Sequence, residues 1–200
     1  MIKKELVLAA VLLGACTAPQ PRPEKASAAQ EDFWNRLAAL CGKAYEGRIA
    51  ANAGGAPGPD AFDGKRLVMH VRECSAGEIR VPFHVGEDRS RTWVITRTGT
   101  GLRLKHDHRH EDGSDDKMTM YGGDTVDGGE PGKQSFPADK FSQDAFYLGN
   151  IPQSAANIWM IGLTPGKTYS YGLNRPGREF RVDFDLTREV AAPPPPWGAK

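Results

Sequence analysis

The chain has 200 residues, with 26 Lys and Arg against 25 Asp and Glu, for a formal net charge of +1. A balanced charge without a basic run sets up no long-range field for a polyanion, so no nucleic-acid partner is expected. No apolar stretch is long enough to cross a bilayer as a helix, and the 23 glycines point to a chain with many turns.

Lys3 and Lys4 precede an apolar run over 6–13, which is followed by the small residues Gly14 and Ala15 and then by Cys16. Basic, apolar and small residues in that order form the layout of a secretory signal over 1–15. A run this short rises only ~12 Å as a helix, against a hydrocarbon core of ~30 Å, so it cannot span.

The tetrapeptide Leu13-Gly14-Ala15-Cys16 resembles the lipobox of bacterial lipoproteins. The resemblance implies cleavage before Cys16 and its acylation with diacylglycerol and a further chain such as palmitate. Several acyl chains, at ~0.8 kcal/mol per buried CH₂, make a durable membrane anchor. Thr17 stands where an Asp would hold such a protein at the inner membrane. The implied address in a diderm host is the outer membrane, facing the periplasm. Residues 16–27 are then a lipidated, Pro-rich tether, 28–190 a single domain, and 191–200, with Pro193 to Pro196, a disordered tail. A domain of about 160 residues can build a sizeable core.

Ser27-Ala28-Ala29-Gln30 has the form of a capping box. Phe33, Trp34, Leu37, Leu40 and Cys41 recur at threes and fours behind it, and Gly42 can end the turn. The spacing predicts one helix over 28–41 whose Trp/Leu face packs on the main body. Beyond Gly42 the period changes to two, and strands are expected over 44–50, 66–73, 78–85, 92–98, 102–110, 117–121, 158–163, 168–173 and 179–186. Turn residues separate them, and the glycine-rich stretch from 122 to 139 reads as a long loop. Many short strands without intervening helices indicate an all-β antiparallel meander, closing into a calycin-like β-barrel that removes exposed edges; a β-sandwich is the alternative.

Cys41 and Cys74 are left after the lipidated cysteine. In an oxidising export compartment they are expected to form a disulfide worth ~3–4 kcal/mol; two buried free thiols are the other reading.

The segment over 102–110 carries most of the chemistry. On a strand, Leu102, Leu104, His106, His108 and His110 share one face, while Arg103, Lys105, Asp107 and Arg109 share the other. The charged face is expected in solvent and the other inside, which carries three histidines toward one end of the barrel. His-x-His on a strand can aim two imidazoles at one ion, so His106, His108 and His110 are candidate ligands for zinc or another divalent metal. The alternative is a polar barrel mouth in which neighbours such as Tyr121 satisfy the imidazoles. There Trp93, Trp159 and Tyr121 would line a site for a small polar ligand with the three histidines. The spacing departs from the cupin pattern, and neither a His-Glu-x-x-His, a Gly-x-Ser-x-Gly elbow nor a P-loop occurs.

The run His106-Asp107-His108-Arg109-His110-Glu111-Asp112-Gly113, with Tyr121-Gly122-Gly123 and Phe136-Pro137-Ala138-Asp139, is similar to a family of small secreted or lipid-anchored bacterial proteins without an assigned activity. The resemblance covers roughly 60–186 and brings no catalytic residues with it. The arrangement of a helix before a meander barrel also resembles bacterial lipocalins at the level of fold, without their Gly-x-Trp signature. Three functions follow as expectations. The first is a non-enzymatic lipoprotein binding a small ligand or metal at the barrel mouth. The second is a metal-dependent hydrolase or lyase using His106, His108 and His110. The third is a structural envelope lipoprotein.

Overall fold

The computed structural model describes residues 25–55 and 61–199, so Cys16 and the signal ahead of it lie outside the described residues. A helix, α1 (Ala28–Ala38), leads into strands β1 (Ala44–Ala53), β2 (Leu67–His70), β3 (Glu73–Cys74), β4 (Glu78–Val85), β5 (Asp88–Thr98), β6 (Gly101–His108), β7 (Tyr121–Asp124) and β8 (Lys133–Pro137). A second helix, α2 (Lys140–Leu148), and a 3-10 helix (Pro152–Ala156) precede β9 (Ile158–Thr164), β10 (Thr168–Arg175) and β11 (Arg178–Val190).

The strands form one antiparallel sheet in the order β7-β6-β5-β4-β2-β1-β11-β10-β9-β8, with the short β3 attached to β4. Sequence neighbours are therefore space neighbours, and the first and last long strands pair: Ala44 faces Val190 and Ala53 faces Glu179. That is an up-and-down meander wrapped into a nearly closed barrel, and one continuous sheet leaves no place for the sandwich alternative.

The seam lies between β7 and β8. The Asp139 N–H donates to Gly122 O at 2.9 Å, and the Gly122 N–H donates to Ser142 Oγ at 2.7 Å. Glycine is required there: a Cβ on Gly123 would stand 1.8 Å from Pro137 O, and one on Gly122 would stand 1.9 Å from Leu104 O. The glycines read as loop punctuation are thus strand residues whose missing side chains let two backbones meet. The strand expected over 117–121 begins only at Tyr121, because the preceding stretch turns and Met120 takes φ 55°.

The expected helix also forms, though it stops at Ala38 and its last residues continue as turns. Its capping box is complete: Ser27 Oγ accepts from the Gln30 N–H, and the Ser27 N–H donates to Gln30 Oε1. Phe33 and Leu37 are fully buried, and the buried Gln30 amide donates to Thr125 Oγ1 at 2.8 Å. Arg97 near the end of β5 pairs with Glu31 and lies over the Trp34 ring. The helix therefore covers the barrel end where β6 begins. Cys41, just past it, is joined to Cys74 of β3, with a Cα–Cα distance of 6.3 Å.

The chain after β11 corrects another expectation. Instead of a disordered tail, residues up to Ala199 lie along the outside of β5 and β6. The Trp197 N–H donates to Arg89 O at 3.1 Å, and the Arg89 guanidinium donates to Pro195 O at 3.1 Å.

Candidate functional site

Strand alternation places Leu102, Leu104 and His106 of β6 inside the barrel, where each is almost fully buried. The direction of β6 then fixes the polarity of the site, because its start faces α1 and its end, with His108, reaches the opposite, open end. A cavity of about 270 Å³ opens there. Its walls are largely aromatic, with Phe83, Trp93, Tyr121, Trp159, Tyr171 and Phe180 contributing from six different strands. Phe83, Trp93 and Tyr171 stack in series, with ring centroids 4.9 and 4.3 Å apart, so the floor is rigid.

His106 sits in that floor. Its Nδ1 lies 3.1 Å from Tyr121 O, and its Nε2 lies 2.7 Å from the Tyr171 hydroxyl. A carbonyl only accepts, so Nδ1 carries the proton and Nε2 accepts from Tyr171. The Trp93 ring stacks on Tyr171, with centroids 4.3 Å apart. The result is a directed chain from phenol to imidazole to backbone. Burial is the main cause holding the His106 pKa down to about 3, so the ring is neutral. His108 lies further out, with Nε2 3.1 Å from the Tyr121 hydroxyl. Burial first and the Arg91 charge second push it down to about 4. Burial raises Tyr121 to about 12.

The structure therefore brings His106, His108, Tyr121, Trp93 and Trp159 together at one cavity. It leaves out His110. That residue follows the end of β6, is exposed, and engages a turn in which its N–H donates to Ser114 O. The three-histidine metal reading is corrected accordingly. Both His106 nitrogens are engaged by groups that fix them, His110 points elsewhere, and no three His, Cys, Asp or Glu side chains among the described residues form a donor set. Zinc, or another divalent ion at His106, His108 and His110, finds no such site.

The opposite face of β6 also departs from expectation. Asp107 is buried rather than solvated, held by Arg80 at 2.5 Å and Arg109 at 2.8 Å beside the tail. Arg80 of β4, distant in the sequence, makes that possible together with the nearby Arg109.

Three mouth residues carry a signal that strand periodicity does not mark. Arg91, Arg175 and Arg178 all line the cavity, and no Asp or Glu lines it among the described residues. Arg175 and Arg178 flank the β10–β11 turn, a segment that reads as ordinary turn chemistry until the hairpin is placed at the mouth. The helix α2 and the 3-10 helix add Phe146, Ser154 and, between them, Ile151. Asp139 as N-cap and Gly149 as C-cap were the available sequence signs of α2.

No family model, no curated protein and no solved structure matches this chain.

Proposed function

We propose that this chain is a lipid-anchored envelope protein, not a metal enzyme, and that its barrel mouth holds a small ligand with an apolar body. The observation that carries the reading is the cavity itself: an open, aromatic-walled space of about 270 Å³ above a floor whose hydrogen-bonding groups already satisfy one another. A space near the lower end of the ~300–1,000 Å³ range of ligand pockets suits a molecule of one or two rings. The mouth is more apolar than the small polar ligand expected from the histidines, because the imidazoles spend their polarity on Tyr121 and Tyr171.

Lipid attachment at Cys16 and an outer-membrane, periplasm-facing position rest on the lipobox resemblance. They agree with the disulfide, which needs an oxidising compartment. Metabolic labelling with palmitate should mark the wild-type chain and leave Cys16→Ser unmarked; label on the variant overturns the anchor.

The mouth is tested with N-phenyl-1-naphthylamine, a neutral fluorophore whose phenyl or naphthalene group can enter the cavity, titrated into the purified chain. Saturable binding is expected, and Leu173→Trp, which fills the mouth from β10, should abolish it while leaving the circular dichroism unchanged. Equal binding to both proteins would overturn the reading.

A further inference from the structure

We infer that the ligand of the mouth is an anion: a small amphipathic molecule with a ring-sized apolar body and one carboxylate, sulfonate or phosphate head, held by Arg175 and Arg178. The inference rests on the mouth being a ligand site and adds the chemistry of its ligand.

The charge arrangement at the rim carries it. Arg175 and Arg178 are directly opposed across the β10–β11 turn, and both line the cavity. Like charges facing each other across strands destabilise a hairpin, so a neutralising partner is expected nearby. Among the described residues there is none, since neither guanidinium has a carboxylate within salt-bridge distance. Arg175 instead donates to Asn157 Oδ1 at 3.0 Å. Arg178 donates to Asn52 Oδ1 at 2.7 Å, Ala53 O at 2.9 Å and Glu179 O at 2.8 Å. These neutral acceptors hold the two groups in place without cancelling their charge. Burial first and the Arg178 charge second depress the Arg175 pKa.

Arg91, the third arginine of the wall, differs in having its own partner, Asp88, at 2.5 Å. Among the described residues, the net positive charge of the wall therefore sits on the Arg175–Arg178 side. Arg178 also lies 5.4 Å from the Phe180 ring centroid, so cation and aromatic wall meet at one edge. A ligand whose rings enter the cavity places its head at that edge, where a planar guanidinium can take two anionic oxygens at once. A neutral ligand of the same shape gains the burial and leaves the two charges opposed.

The test compares two probes that differ only in the anion: 1-anilinonaphthalene-8-sulfonate and N-phenyl-1-naphthylamine. With the wild-type chain the sulfonate is expected to bind about tenfold more tightly. Raising NaCl from about 50 mM to about 500 mM should weaken the sulfonate and narrow that ratio. In Arg175→Gln and in Arg178→Gln the ratio should fall toward one, and Arg178→Lys should restore part of it. The salt arm needs no variant and decides the matter even where a substitution disturbs the turn. Equal affinity for both probes in the wild type, with both lost in Leu173→Trp, would overturn the anion and keep the mouth. Binding of either probe that Leu173→Trp does not reduce, or no binding at all, overturns both.

Discussion

His106 shows how one residue can look like a ligand in sequence and act as masonry in the fold. Its two nitrogens close a chain of polar groups across the barrel floor, and burial keeps the ring neutral. His108 and His84 share that depressed titration. His84 is nearly fully buried, its Nε2 meets no partner among the described residues, and burial holds its pKa near 4. An unfolded chain protonates all three near pH 6.5, whereas the folded chain protonates them only near pH 3–4. The unfolded state then binds more protons as pH falls, so stability should be flat above pH 6.5 and drop between about 6.5 and 4. The slope is about 1 kcal/mol per histidine per pH unit. Urea midpoints between pH 7.5 and 4.5 measure it, and His84→Leu should make the drop shallower. Tyr169 supplies a second case. Its hydroxyl is fully buried in the core without a partner among the described residues. Removing an unsatisfied polar group is neutral or favourable, so Tyr169→Phe should raise stability by up to about 1 kcal/mol. A loss of more than that in thermal unfolding would mean the hydroxyl is satisfied.

Among the elements, β7 and β8 decide whether the sheet is a barrel or an open meander. Their contact depends on Gly122 and Gly123, on the Asp139–Gly122 hydrogen bond and on Ser142 at the start of α2. Gly123→Ala puts a methyl group into Pro137 O and must push the two strands apart. We expect a cost above about 2 kcal/mol and faster hydrogen exchange at the Asp139 amide than in the wild type. An alanine variant as stable as the wild type would show that the seam has slack. The regions where periodicity succeeded and failed divide along the same line. The strands β4, β6, β9 and β10 lie within two residues of their expected limits, and β5 begins four residues earlier than expected, at Asp88. The stretch from 117 to 156 alternates poorly, because its strands are short, one is rich in glycine, and its helices bury only a few side chains each.

The whole molecule is a barrel with one end covered and the other open. The disulfide fastens the chain just beyond the covering helix to the edge strand β3. Its loop spans 33 residues, for which chain entropy gives about 3–4 kcal/mol. Cys41→Ser with Cys74→Ser should lose roughly that amount in urea unfolding while keeping the mouth, because α1 and the cavity lie at opposite ends. Loss of N-phenyl-1-naphthylamine binding in a folded double variant would instead show that the two ends are coupled.

The sequence by itself determined the all-β meander, the capped leading helix, the cysteine pair, and the inward path of Leu102, Leu104 and His106. These follow from interactions between residues a few positions apart, where the period of two, the capping pattern and the turn residues act locally. Only the tertiary structure decided the rest. It placed Arg175 opposite Arg178 at the mouth, buried Asp107 beneath Arg80, separated His110 from its neighbours, and turned two glycines into a seam. Each of those depends on which distant strands come to lie side by side. A local pattern can direct a side chain inward, but what it meets there is set by barrel closure.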